Sequence, residues 1–239
     1  MTFPSALGFG RFRFIPLVGL LLLTADALPA LGAPAAPANK APANKAPADK
    51  PAFGPPPAGS SPMADLKKSN EKLDKALAKK APNWSPEAEA QRAEVRKLVG
   101  TFLDYGELAK RSLARHWDGL TPKQRDEFVN TLRDLVERSY LKQMRGGSAN
   151  YQIKYEKETK DGNEATVTAT LHTVARGKKV KVALEYKVLW KDRWVVYDVV
   201  TDEQSMLENY RAEFNKIINK EGFDALLKRM KKKLDEKEE

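Results

Sequence analysis

The sequence predicts an α+β fold in which helices flank one antiparallel sheet. Three observations predict it. Apolar residues recur at helical spacing from Val95 to Phe102 and again from Phe128 to Met144. They alternate at period two from Tyr151 to Val200, and return to helical spacing from Leu207 onward. Because a helix repeats every 3.6 residues and a strand every two, the changes of period sort the chain into helix, sheet and helix.

The first 62 residues are read apart from that fold. Arg11 and Arg13 precede an apolar run from Phe14 to Leu23, and small residues follow, with cleavage expected after Ala27 or Gly32. This is the pattern of an export signal over residues 1–32. As a helix, ten to twelve residues reach about 15–18 Å, short of the ~30 Å hydrocarbon core that a membrane span must cross. Residues 33–62 form a linker. Ala-Pro-Ala-Asn-Lys occurs at 36–40 and 41–45, Ala-Pro-Ala-Asp-Lys at 46–50, and Pro55, Pro56 and Pro57 follow. Proline fixes φ and lacks the N–H, and the segment has almost nothing apolar to bury, so an extended, disordered tether is expected. The folding unit is then residues 63–239.

Within that unit, Leu66, Leu73 and Leu77 make a sparse stripe on a charged helix that Pro82 and Pro86 interrupt. Val95, Leu98, Val99 and Phe102 mark the next helix. Asp104 is placed to cap a short helix carrying Leu108, Leu113 and Trp117. Thr121-Pro122-Lys123-Gln124 reads as a capping box with proline at the first helical position. The helix it opens carries Phe128, Val129, Leu132, Leu135, Val136, Tyr140, Leu141 and Met144 on one face, and Gly146-Gly147 is expected to stop it.

Four strands follow. Tyr151, Ile153 and Tyr155 alternate with polar residues, and Asp161-Gly162 suits a tight hairpin turn. Val167, Ala169 and Leu171 alternate next, and Arg176-Gly177 is a second turn. Val180, Val182, Leu184, Tyr186, Val188 and Trp190 give the longest alternation, Asp192 a third turn, and Trp194 to Val200 the last strand. Short connections make this a four-stranded antiparallel meander with one apolar face. Thr201 or Asp202 is expected to cap the following helix, whose stripe is Leu207, Tyr210, Phe214, Ile217 and Ile218. Gly222 fits its C-terminus, and Phe223, Leu226, Leu227, Met230 and Leu234 begin a last helix with a basic outer face. A one-sided sheet must be covered, and the Thr121 and Leu207 helices are the expected covers. The arrangement is consistent with an NTF2-like cone, a bent sheet and N- and C-terminal helices enclosing an apolar pocket.

Composition narrows the function. The chain has no cysteine, which rules out disulfide staples, thiol catalysis, cysteine-based zinc sites and a lipid-modified cysteine anchor. Most of the net charge of +10 falls on the folding unit and favours acidic partners; export removes nucleic acid from those partners. There are two histidines, His116 and His172, and neither has a metal-ligand partner at a usable spacing. No nucleophile elbow, phosphate-binding loop or His-Glu-x-x-His run occurs. Asp198, set between Tyr197 and Val199 in a strand, is the one unusual acid. It reads either as a carboxylate bonded to backbone N–H groups or as a general base of raised pKa. The apolar stripes themselves fit a packed core and a ligand pocket equally.

A family resemblance separates these readings. Asp104-Tyr105-Gly106-Glu107-Leu108-Ala109, Leu113, His116-Trp117, Leu120-Thr121-Pro122 and Gln124-Arg125 to Phe128 together resemble the MlaC (toluene-tolerance) family of periplasmic phospholipid-binding proteins. Trp194 to Val200 is similar to that family's last strand, Ser205-Met206 and Asn209-Tyr210-Arg211 to Phe214 to the helix after it, and Gly222-Phe223-Asp224-Ala225-Leu226 to its closing segment. The likeness runs from about Arg92 to Leu234. Two departures stand out: the family usually has glycine where Ala114 stands and near Glu203.

The resemblance implies a non-enzymatic periplasmic carrier that takes phospholipid between an outer-membrane lipoprotein–porin complex and an inner-membrane ABC transporter with MCE-domain subunits. It implies no metal and no cofactor beyond bound phospholipid as cargo; a related branch of the family is linked to hopanoids, which makes a hopanoid the alternative cargo. The expected pocket lining is Phe102, Phe128, Leu132, Leu135, Val136, Val167, Leu171, Val182, Leu184, Tyr186, Val188, Tyr197, Tyr210 and Phe214. Two other readings stay open on the residues alone: an NTF2-like small-molecule enzyme using Asp198 or His172, and a pocketless interaction module of the cell envelope.

Overall fold

A computed structural model describes residues 53–78, 85–144, 151–175 and 178–235. The signal segment, the linker up to residue 52, the Gly146-Gly147 stop and the Arg176-Gly177 turn lie outside the described residues, as do the side chains of Tyr140, Leu141 and Met144.

Helices come first: α1 (Pro62–Ala78), α2 (Pro86–Phe102), α3 (Tyr105–Leu113) and α4 (Pro122–Met144). Each start has a local cause. Ser85 accepts from the Ala88 N–H at 3.1 Å, and Pro86 at the first position of α2 forfeits an N–H that the helix would leave unpaired anyway. Asp104 accepts from the Glu107 N–H at 2.9 Å to open α3. At α4 the capping box forms reciprocally, Gln124 N–H to Thr121 Oγ1 at 3.3 Å and Thr121 N–H to Gln124 Oε1 at 3.0 Å. The short helix after Asp104 ends earlier than its stripe predicts. It closes at Leu113, a 3₁₀ turn spans Ala114–His116, and Trp117 lies beyond it under the Arg125 guanidinium.

The sheet runs β1 (Tyr151–Asp161), β2 (Glu164–Ala175), β3 (Lys178–Trp190), β4 (Trp194–Thr201) and β5 (Gln204–Ser205), paired antiparallel in sequence order. The expected mixed fold with an antiparallel meander is observed, with one addition: β5, two residues long, folds back on Val200 and Thr201. This return moves the helix cap. Ser205, rather than Thr201 or Asp202, accepts from the Glu208 N–H at 3.0 Å and opens α5 (Met206–Glu221). Gly222, at φ +86°, ends α5 and lets α6 (Phe223–Asp235) begin at once.

Register fixes the faces. Ala165 opposes Val188, Val167 opposes Tyr186, Ala169 opposes Leu184 and Leu171 opposes Val182, and all eight are buried. This is the inner face. Thr166, Thr168, Thr170 and His172 alternate onto the other face with Lys181, Glu185 and Lys187. Two bulges interrupt the ladders, at Glu156 in β1 and at Tyr197 in β4. A bulge adds one residue to one strand, sharpening its twist and shifting which residues face inward beyond it. Strand β4 is buried on both faces from Trp194 to Val199, because helices cover it from either side.

Among the described residues three non-glycine residues hold positive φ: Ala114 (46°), Asp202 (45°) and Glu203 (68°). Ala114 stands at, and Glu203 near, a position where the resemblance leads to an expectation of glycine. A side chain in this positive-φ region costs about 1–2 kcal/mol per residue.

Candidate functional site

The inner face of β1–β4 and the helices that share its core make the site to consider. Of the fourteen residues expected to line a pocket, twelve are buried, and Leu135 and Tyr210 are partly buried against the same core. Val167, Leu171, Val182, Leu184, Tyr186 and Val188 come together on the inner face. Phe128, Leu132 and Val136 of α4 and Phe102 of α2 join the same continuous core. Phe128 meets Phe214 edge-on at 5.5 Å, and Phe214 stacks on Tyr210 at 5.3 Å, so α4 and α5 are joined through aromatic contacts.

Tyr197 is buried in the same core but also reaches a polar cluster. It sits at the β4 bulge, and its hydroxyl donates to Glu164 Oε2 at 3.3 Å. The Arg111 guanidinium lies 4.0 Å from its ring centre and bonds Glu107 and Glu164, each at 2.6 Å. Burial first, then the Glu164 charge, pushes the Tyr197 phenol up, and the nearby Arg111 only partly opposes them. This cluster ties α3 to the sheet.

Asp198 has a structural assignment. It is buried and accepts from Ser205 Oγ at 2.6 Å and from the Leu207 N–H at 2.9 Å. The carboxylate thereby holds the residue that caps α5, at a helix N-terminus where negative charge is favoured. His116 Nε2 lies 2.9 Å from Asn215 Oδ1, and His172 lies on the outer face opposite Gln152 and Lys181. Among the described residues no group of three His, Cys, Asp or Glu side chains is placed to hold a metal ion, and no helix is long and apolar enough to cross a membrane.

Sequence reasoning missed two features. The first is how α1 is held over β1. Glu158 accepts from Ser61 Oγ at 2.7 Å and from the Met63 N–H at 3.0 Å; Asn70 donates to the Tyr155 hydroxyl and Tyr151 to Asp74. Burial pushes the Glu158 carboxyl up, but the Ser61 and Met63 hydrogen bonds and Lys160 outweigh it and hold the carboxyl below its ordinary range. The second is a set of buried polar atoms that find no hydrogen-bond partner among the described residues: the Tyr186 hydroxyl, Trp194 Nε1 and Thr201 Oγ1. Register puts all three on the inner face, since Val199 opposes Tyr186, Trp194 opposes Trp190 and Thr201 opposes Leu184. Nothing in a single sequence signals an unpaired hydroxyl, because the pairing depends on what surrounds it.

A family model described as MlaC protein matches residues 67–232. The chain is 24% identical over 172 residues to the intermembrane phospholipid transport system binding protein MlaC of Haemophilus influenzae, covering 70% of this chain and 76% of that protein. Its fold is similar to that of a phospholipid-binding protein from Ralstonia solanacearum solved in complex with a phospholipid. There the TM-score is 0.60 and the identity 19%, covering 74% of this chain and 98% of that one.

Proposed function

Because the chain belongs to the MlaC protein family, we propose that it binds phospholipid as cargo and carries it between membranes without chemistry. Its Haemophilus relative is named for intermembrane phospholipid transport, and the Ralstonia protein of the same fold was solved with phospholipid bound. In this reading residues 1–32 export the chain to the periplasm and are cleaved, residues 33–62 are a tether whose last residues, Ser61 and Pro62, are anchored on the domain, and residues 63–239 are the binding domain, an NTF2-like cone. The acyl chains lie between the inner face of the sheet and the helices, with the head group at the mouth. The donor and acceptor are an outer-membrane lipoprotein–porin complex and an inner-membrane MCE-domain ABC transporter.

The observation that carries the reading is the division of labour between the faces. The inner face is apolar along β2 and β3. The residues on which catalysis would depend are committed elsewhere: Asp198 caps α5, and His172 stands on the opposite face. That supports a binder over a small-molecule enzyme.

Hydrocarbon burial supplies the affinity. At about 0.8 kcal/mol per CH₂, one 16-carbon chain contributes roughly 12 kcal/mol before ordering costs. Release from so favourable a site is slow unless a partner opens it, so handover takes place in contact with the partner. The exposed basic residues of α6, among them Lys228 and Lys232, supply charge for docking an acidic face.

The test is organic extraction of the purified protein followed by mass spectrometry. Near-stoichiometric phospholipid is expected; its repeated absence under mild purification would sink the proposal and favour a solid-cored interaction module.

A further inference from the structure

The three unpartnered inner-face atoms differ in their surroundings. Tyr186 is fully buried; Asn70 of α1 lies close enough to its hydroxyl to interact with it, yet no group among the described residues meets that hydroxyl in hydrogen-bond geometry. Asn70 spends its amide on the Tyr155 hydroxyl. An unpaired buried hydroxyl costs its full desolvation, and phenylalanine at the same place would avoid that cost. A tyrosine here is explained when something else accepts from it. Tyr155 also has a second neighbour: its ring centre lies 6.4 Å from that of Tyr186 and 5.5 Å from Nζ of the exposed Lys67. A surface cation and a buried neutral donor thus share one ring. That is the polarity of a glycerolipid, in which a phosphate and an ester carbonyl are separated by one glycerol unit.

We propose that Tyr186 reads the ester linkage of the bound lipid, donating its hydroxyl proton to an acyl carbonyl oxygen, while Lys67 faces the phosphate. Rooted in the carrier reading, this sets the direction of the cargo: head group under the N-terminal half of α1, chains running along the inner face. A neutral donor suits the carbonyl, and deep burial keeps the phenol neutral by raising its pKa well above the ordinary value. An ether-linked lipid has the same chains and phosphate but no carbonyl, so it leaves the hydroxyl unpaired.

The experiment incubates the full chain with vesicles of equimolar dioleoyl phosphatidylglycerol and its dialkyl ether analogue, then quantifies both lipids bound to the re-isolated protein. Wild type should be enriched in the ester form by roughly two- to tenfold, the range one net hydrogen bond gives. Tyr186→Phe should take up both forms near one to one, with unfolding no earlier than wild type. Lys67→Glu should lower uptake of both and leave the ester preference intact. Equal uptake of the two lipids by wild type, or an ester preference that survives in Tyr186→Phe, overturns the assignment while leaving the carrier reading in place. No uptake of either lipid by wild type overturns both.

Discussion

Asp198→Ala removes the acceptor for two hydrogen bonds at the start of α5. The Leu207 N–H, 2.9 Å from Oδ1, is left buried and unpaired, and Ser205 Oγ, 2.6 Å from Oδ2, loses the group that orients it toward the Glu208 N–H. A hydrogen bond to a charged acceptor contributes about 1.5–3 kcal/mol, and a stranded buried donor costs about 1–3 kcal/mol. Since the two losses overlap, the expected destabilisation is about 2–4 kcal/mol. For a domain of roughly 150–250 residues that lowers Tm by about 5–15 °C. Asp198→Asn keeps an acceptor for Leu207 but sets an amide N–H₂ against Ser205, so about half the loss is expected. Urea unfolding followed by tryptophan fluorescence reads the effect, as a lower midpoint at unchanged slope. Lipid bound per folded molecule should not change. A stability within about 0.5 kcal/mol of wild type would refute the capping role. An intact fold that loses a small-molecule turnover would return Asp198 to catalysis.

Three further outcomes are expected. Ala114→Gly should raise the unfolding free energy by about 0.5–1 kcal/mol, read as a higher urea midpoint, because relief of the strained φ of 46° exceeds glycine's extra chain entropy; a lower midpoint would contradict that. The Glu158 carboxyl is held below its ordinary value, so the stability it contributes is present above the unfolded carboxylate pKa near 4.3 and is lost as pH falls through the folded value. Hydrogen exchange at the first turn of α1 should therefore speed up in acid, and Glu158→Gln should reproduce the effect at neutral pH; protection unchanged by both would detach Glu158 from that role. Leu132→Trp should cut phospholipid occupancy with little loss of Tm if the interior has room for hydrocarbon, whereas a solid core would show an overpacking penalty of about 1–3 kcal/mol instead.

What could be read from sequence was what neighbouring residues decide together. The α4 start was legible because Thr121 and Gln124 satisfy each other three residues apart. The β2 and β3 faces were legible because unbroken alternation maps directly onto a ladder without bulges. Legibility ended where tertiary pairing intervened. Ser205 became the α5 cap because β5 folds back through Asp202 and Glu203, both at positive φ, which single-residue preferences argue against. Val196 and Trp194 face inward only because the extra residue Tyr197 shifts the parity of β4 before it relative to Val199, which strict alternation from Val199 would not give. The attachment of α1 depends on Glu158, 97 positions from Ser61, and no local pattern announces it.

The claim on which the rest stands is that acyl chains lie against the inner face. Phosphatidylglycerol carrying a photoactivatable diazirine near the end of one acyl chain tests it most directly, by peptide mapping after loading and irradiation. The account predicts adducts on peptides bearing Phe128, Leu132, Leu171 and Leu184, all buried around that face. Adducts confined to the outer face, around His172 and Lys181, would contradict it.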